Sequence, residues 1–489
     1  MLHDASPESQ GIPSAQIAAY LEMLDKHHLA MHDVLISRGD RILLEAYYAP
    51  FRPGEAHRLY SVTKSFVALA VGFALEDGLL SLDDPMSKYF GRELEGQPDR
   101  HLRGQTVRHM MMMSTAKPGE NWFAARTSDR VRLYFQNKRP ETREPGKAFE
   151  YDSSGTFVIG ALVERLTGKK LLDYLREKLF DRIGVSTRVR ALSCPGGHTW
   201  SDSAFLMPPD DLWRVARFVL NGGRWDGKQL LSPEYIREAT SKLISTGDGY
   251  GIERQGYGFY IWKAYGEGFF FNGMGCQLAL CVPEKDLILI CNADNQGNEA
   301  AKDIILDGFY QMIVAHAGDP LPEDPPAAQA LARITGDLQL FSAYGSPCQP
   351  MAEKINGAVY GLGPNPMGIS RLSLAFSGSE GVLTYTNAQG EKRLPFGLCG
   401  NRFCDFPQQG YADQVGSVPG GRLYRCAASA AWKDTRTLWL KVQVIDDYLG
   451  NMDALFTFSE DGRELSLTMR KTAEDFLDEY EGDAAGRRQ

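Results

Sequence analysis

Three short stretches of this chain combine residue types that can move protons or hold a carbonyl. The first is Ser61-Val62-Thr63-Lys64, which opens a run with apolar residues at Phe66, Leu69, Ala70, Phe73 and Ala74 that stops at Asp77-Gly78. On a helix, residues three apart share a face, so the hydroxyl and the amine can meet. A helix N-terminus also turns N–H groups and partial positive charge toward the serine oxygen. A serine nucleophile needs a base, and lysine serves only when neutral. At its ordinary value near 10.4, fewer than about one lysine in a thousand is neutral at pH 7. Such a site must be desolvated or carry extra positive potential. A second Ser-x-x-Lys, Ser114-Thr115-Ala116-Lys117, runs straight into Pro118-Gly119 and reads as loop, so the helix-opening copy is the candidate.

The second stretch is Phe149-Glu150-Tyr151-Asp152-Ser153-Ser154-Gly155, ahead of a helix predicted over Phe157–Leu166. A tyrosine hydroxyl and a serine on such a loop can relay a proton or hold an amide. Taken alone, Tyr151 reads better as a capping-loop residue. The third is Phe271-Asn272-Gly273-Met274-Gly275-Cys276-Gln277, on or beside a strand. Glycines let a substrate approach the backbone closely, so the N–H of Met274 can point at an oxyanion. A β-bulge or edge glycine leaves the same pattern.

In this order, the three stretches resemble the β-lactamase-related (penicillin-recognising) serine hydrolases, in particular class C-like esterases and amidases of the 6-aminohexanoate-dimer hydrolase type. Supporting phrases are Pro7–Ile12, His57–Phe66, Asp77–Pro85, Thr106–Met111 and Gly222–Leu231, within about residues 5–315. The resemblance implies acyl transfer through a covalent serine, without metal or cofactor. Ser61 would attack a carbonyl of a small-molecule ester, amide or peptide, with Lys64 and Tyr151 sharing the base and acid work. The N–H groups of Ser61 and Met274 would form the oxyanion hole, and Phe271, Asn272, Gly273 and Ser153 would line the substrate. Three positions depart from the family pattern. Ser153 stands where asparagine is frequent, Phe271 where lysine or histidine is usual, and Cys276, read as packing, where close relatives have glycine. Without the cation at 271, recognition of a penicillin or D-peptide carboxylate is not expected. A cation reaching the cleft, such as Arg126 or Arg254, would restore a D-amino-acid peptidase or amidase reading. A catalytically silent ligand-binding relative is the alternative of another class, which intact Ser61, Lys64 and Tyr151 argue against.

These residues need elements to position them. Asp33–Ser37 and Arg41–Tyr47 flank Arg38-Gly39-Asp40 and predict a hairpin. Helical patterns follow near 104–113, 155–180, 208–221 and 232–240, then strands over 257–264, 268–272, 277–282 and 287–291, and a helix near 299–316. Strands at both ends of a helical middle predict one sheet carrying a helical insertion. The resemblance names it: an α/β (α+β) serine β-lactamase/DD-peptidase-like fold. Four prolines in Gly318–Pro326 mark a semi-rigid linker. The expected domains are a hydrolase domain over 1–317, a linker over 318–334, and a small antiparallel β-rich accessory domain over 335–489. Its acidic tail after Ala473 is expected to be frayed or partly helical.

The remaining features narrow the class. With 489 residues, 43% hydrophobic and 24% charged, the chain reads as globular, and a net charge of −9 argues against a nucleic-acid partner. No apolar run is long enough to span a membrane, and MLHDASPESQG lacks the parts of a signal peptide. Eight scattered cysteines without a CxxC read as reduced thiols, and the expected location is the cytoplasm. His28 and His32 have a helical metal spacing but no acidic third ligand nearby. Met110–Met113 reads as core, and the stretch Arg126, Arg130, Arg132, Lys138, Arg139 and Arg143 as a solvated face. Trp122, Phe123, Tyr134, Phe135, Trp200 and Trp262 read singly as core and jointly as a possible aromatic wall.

Overall fold

Met31–Arg38 and Arg41–Tyr47 form the predicted hairpin, and its first strand pairs antiparallel with Leu287–Ala293, placing Ile36 opposite Leu289. The computed structural model describes every residue except 1, 2, 121, 123, 124, 126, 138–141, 409–421 and 474–476. The sheet continues through Gln277–Val282 and Phe269–Gly273 to Trp262–Lys263, with His3–Asp4 at the far edge beyond Arg41–Tyr47. Gln277–Val282 and Leu287–Ala293 are buried along their whole length, which explains apolar runs without alternation. Pro209–Leu220 packs on both strands, and its Trp213 Nε1 donates to Ser37 Oγ at 2.6 Å.

Between the two halves of the sheet lies the helical insertion. Thr63–Glu76 is buried from Thr63 to Ala74 and packs on Ser153–Thr167 and Leu171–Lys178. Small residues set the spacing. A Cβ on Gly160 would lie 2.0 Å from Ser201 Oγ, and one on Gly72 would lie 2.5 Å from the Tyr235 ring.

Several expected elements change. The 155–180 helix is two, because Gly168 adopts a left-handed φ of 67° and closes the first with its N–H on Glu164 O. The 257–264 strand shrinks to Trp262–Lys263: Gly258 lies against Ala239 O, where a Cβ would stand at 2.0 Å, and Tyr260 has φ 53°. His28 and His32 do not share a helix. Ser14–Lys26 has ended, His28 follows with φ 54°, and His32 is buried in Met31–Arg38.

The chain divides into units Met1–Gln339 and Leu340–Gln489. The segment 318–334, read as a linker, contains most of a helix, Pro325–Asp337, packed along Ser14–Lys26. Two of the four prolines open that helix, where their missing N–H groups cost nothing, and Asp324 caps it by accepting from Ala327 N at 3.1 Å. The second unit is a β barrel. Val359–Leu362, Arg371–Ser377, Glu380–Asn387 and Gly390–Leu398 form one antiparallel run, and Arg402–Asp405, Arg425–Trp432, Thr437–Ile445, Leu449–Phe458 and Glu464–Ala473 another. Gly482–Arg488 joins the runs by pairing with both Val359–Leu362 and Glu464–Ala473, so the end of the tail is a paired strand rather than frayed, and a single 3-10 turn, Asp478–Tyr480, precedes it. Parallel pairing of Gly397–Leu398 with Ser429–Ala430 closes the ring.

At the centre of the first sheet, the buried Asp33 carboxyl accepts from Asn292 Nδ2 at 2.9 and 3.0 Å and lies 3.6 Å from His57 Nδ1. Burial pushes the carboxyl up to about 8, against the opposing pull of Asn292. Its folded value therefore exceeds its unfolded one, so the stability it contributes is complete below about pH 4 and is lost as pH rises through about 8. We predict that Asp33→Asn removes a decline approaching about 1.4 kcal/mol per pH unit between about pH 5 and 7, seen as the wild-type-minus-variant difference in denaturant unfolding. We also predict that Gly160→Ala destabilises by about 1–3 kcal/mol by overpacking, and that adding Ser201→Gly restores most of the loss in thermal unfolding.

Candidate active site

Ser61 sits in a single 3-10 turn, Tyr60–Val62, that runs directly into Thr63–Glu76. Tyr60 holds a left-handed φ of 46°, a conformation costing a non-glycine residue about 1–2 kcal/mol. Its buried ring lies under the Arg58 guanidinium, 4.7 Å from the centroid, which fixes the turn. Lys64 is 1% exposed. Its Nζ donates to Ser61 Oγ at 2.8 Å and to the Asp202 carbonyl at 2.7 Å, and lies 5.2 Å from the Tyr151 ring centroid.

The Asp202 carbonyl is placed by the segment that follows it. Arg58 donates from Nε to Ser203 O at 3.0 Å and from Nη2 to Ser203 Oγ at 3.1 Å. Phe205 N donates to Thr63 Oγ1 at 3.1 Å, and Leu59 N to Phe205 O at 2.8 Å. Thus Thr63, a variable position of the Ser-x-x-Lys motif, anchors the loop that orients Lys64. Sequence reading missed Asp202, because a main-chain acceptor leaves no trace in residue type. Arg58 lies within His57–Phe66, where residue type alone assigns it no role.

Tyr151 directly precedes the Asp152 cap of Ser153–Thr167. Asp152 Oδ1 accepts from Gly155 N at 3.0 Å and from Ser154 Oγ, and its Oδ2 accepts from Thr115 Oγ1 at 3.2 Å. The second Ser-x-x-Lys therefore braces the tyrosine loop, and Glu150 N on Met113 O at 2.9 Å adds to the brace. Tyr151 is 39% exposed and stacks on Trp262 at 6.1 Å. Ser153 is half-buried and begins the helix.

On Phe269–Gly273, only Phe269 and Phe270 pair with Trp262–Lys263, so Phe271, Asn272 and Gly273 have no ladder partner on that edge. The strand end packs against the Ser61 turn. A Cβ on Gly273 would lie 2.3 Å from Leu59 O, so only glycine allows this approach. Gly275 and Cys276 take positive φ, 77° and 74°, and Gln277 Nε2 donates to Met274 O at 3.0 Å, holding the turn. Met274 is 36% exposed. Burial raises the Cys276 thiol to about 12, leaving it inert at neutral pH.

Phe271 is buried, and alternation sends Asn272 to the other face. There its Nδ2 donates to Glu253 Oε1 at 2.9 Å, and Lys302 Nζ reaches the same oxygen at 2.5 Å. The cation linked to this strand is thus Lys302, held by Glu253, a link invisible in sequence across the loop and helix between. Arg254 is exposed and donates to Thr246 O at 2.8 Å, while Arg126 lies outside the described residues. Of the basic stretch, Arg130 is not solvated. It is buried, with its guanidinium 4.3 Å from the Trp122 ring and 4.7 Å from that of Trp200. Arg143 pairs with Glu150, and Lys138 and Arg139 are not described. Trp122, Tyr134, Phe135 and Trp200 are core, Phe123 is not described, and Trp262 meets Tyr151. Among the described residues, no three His, Cys, Asp or Glu side chains are grouped to hold a metal, and no helix is long and apolar enough to cross a membrane.

Residues 4–308 match the Beta-lactamase family model, and the chain belongs to that family. A 6-aminohexanoate-dimer hydrolase of Paenarthrobacter ureafaciens is 25% identical over 237 residues, 44% of this chain and 59% of that protein. A lovastatin esterase of Penicillium rubens is 28% identical over 176 residues, 30% of this chain and 43% of that protein. The chain therefore spans less than two thirds of the length of these curated relatives. The solved structure of SurE with D-Leu shares the fold at a TM-score of 0.50 and 15% identity, covering 97% of this chain and 99% of that one.

The Gly273 contact yields a direct expectation. Gly273→Ala forces Leu59 away and shifts the Ser61 turn, and displacement of about 1 Å costs about 10²-fold in reactivity. Labelling of Ser61 by a fluorophosphonate should slow by about that factor, with the far-UV circular dichroism unchanged.

Proposed function

We propose that this protein is a serine hydrolase that cleaves a small-molecule ester or amide through an acyl-Ser61 intermediate. The observation that carries the reading is the buried Lys64 Nζ at 2.8 Å from Ser61 Oγ, with its other contact on a main-chain carbonyl rather than a carboxylate. The carbonyl accepts one N–H and so aims the amine at the hydroxyl it would deprotonate. In this reading Lys64 takes the Ser61 proton as the hydroxyl attacks, and Tyr151, on the exposed side, passes a proton to the leaving group. The N–H groups of Ser61 and Met274 receive the oxyanion, and Gly273 allows the close approach. Water then releases the acyl group.

The relatives' names divide between amide and ester hydrolysis, which supports this breadth of substrate. Phe271 offers no charge to a substrate carboxylate, and Lys302 is neutralised by Glu253. Both features favour uncharged acyl groups over penicillins and D-peptides. The eight free thiols support a reducing, cytoplasmic location.

A fluorophosphonate should label Ser61, read by mass spectrometry of the modified peptide, and Ser61→Ala should abolish both label and turnover. A folded protein unlabelled at Ser61 overturns the proposal. Lys64→Met should lower p-nitrophenyl ester turnover by about 10²–10⁴-fold. Ester turnover should exceed nitrocefin turnover, and the reverse order would refute the argument from Phe271.

A further inference from the structure

The barrel contains a pair of thiols that the hydrolase chemistry does not use. Arg402–Asp405 and Arg425–Trp432 are antiparallel neighbours, and their register sets Cys404 directly opposite Cys426. Opposed residues in such a ladder have Cα atoms about 4.5–5.5 Å apart, inside the range of about 4.4–6.8 Å that a disulfide spans. The two sulfurs are already 3.5 Å apart. Two cysteines separated by 22 positions in the chain meet because the ladder brings them together, and closing the remaining gap needs no change of register.

We propose that Cys404 and Cys426 form a reversible redox site, closing into a cross-strand disulfide by exchange with a low-molecular-weight disulfide of the glutathione class. The two thiols are unlike. Cys404 is half-buried, and the hydrogen bond from Cys426 draws its thiol below the ordinary value. Cys426 is fully buried, and that same bond together with burial holds its thiol up. Cys404 is therefore the attacking group and Cys426 the resolving one. The Cys404 thiolate attacks one sulfur of the small disulfide, forming a mixed disulfide and expelling one thiolate. Cys426 gives up its proton and attacks Cys404 Sγ, forming the internal bond and expelling the second. In sum, two protein thiols are oxidised to one disulfide, and one small disulfide is reduced to two thiols.

The strand that gains from this is a short edge strand of the barrel. Arg402–Asp405 has four residues and ends the strand order, with Arg425–Trp432 as its ladder partner. The bond would tie this edge to its neighbour under oxidising conditions and release it under reducing ones. Reversible bridges of this kind are the form that disulfides take in reducing compartments.

The test uses the full chain, reduced and then equilibrated with increasing oxidised glutathione, quenched with acid, alkylated and mapped by mass spectrometry. Cys404 and Cys426 should leave the alkylated pool together, appear as one cross-linked peptide pair lacking two hydrogens, and return with dithiothreitol. The exposed Cys348 should instead carry glutathione. In Cys426→Ala, Cys404 should accumulate as a stable glutathione adduct. The proposal is overturned if both thiols stay alkylatable at oxidant levels that modify Cys348. A lasting glutathione adduct on wild-type Cys404, or a bridge between two chains, overturns it equally.

Discussion

A lysine amine buried to 1% exposure must satisfy its N–H groups inside the protein, and Lys64 does so on Ser61 Oγ and the Asp202 carbonyl. Much of the insertion serves to keep that second acceptor still. Arg58 holds Ser203, Thr63 holds Phe205, and Glu164 holds the start of the same loop. Burial works to raise the Glu164 carboxyl. Hydrogen bonds from His198, Thr199 and the Leu171 N–H outweigh it and keep the group below its usual range. The carboxylate thus knits helix Ser153–Thr167, the start of Leu171–Lys178 and the Thr199 strand of loop into one support. Gly160 lets Ser201 lie flat on the first of these helices.

The three chemical stretches are far apart in sequence, and the sheet joins the first to the third. Met31–Arg38 beside Leu287–Ala293 brings the N-terminal hairpin next to the strands of the 269–293 meander. The hairpin leads through His57–Arg58 into the Ser61 turn, and the meander presents the unpaired end of Phe269–Gly273 to it. Tyr151 arrives from the insertion, braced by Thr115 and stacked on Trp262 from the sheet. Every contact among the three stretches therefore spans a long loop of chain. The site is a product of the completed fold rather than of any local segment.

How much of this was legible follows from which signals are local. The hairpin, the Ser61 helix and the 277–293 strands were readable because turn residues, helical spacing and apolar runs act over a few positions. The division of 155–180 at Gly168 was marked by a glycine that the apolar pattern on either side masked. Pro325 and Pro326 read as linker because composition alone does not distinguish a proline that opens a helix from one in a spacer. The strand Gly482–Arg488, rich in charge, owes its state to partners on both sides rather than to its own pattern. Around the site, the pairing of Ser61 with Lys64 was implicit in their spacing. The Asp202 carbonyl, the buried Arg130 between two tryptophans and the Glu253–Lys302 link arise only where separate elements meet.

The barrel's closing strand has a bearing on how the molecule is made. Gly482–Arg488 bonds to Val359–Leu362, so the ring joins two stretches separated by nearly the whole domain. Until the 482–488 segment leaves the ribosome, both neighbouring strands, Val359–Leu362 and Glu464–Ala473, present open edges able to pair with other chains. The first unit ends at Gln339 and can complete its own sheet long before that point. Vectorial synthesis thus orders the two halves in time, and the barrel keeps open edges until its last strand arrives.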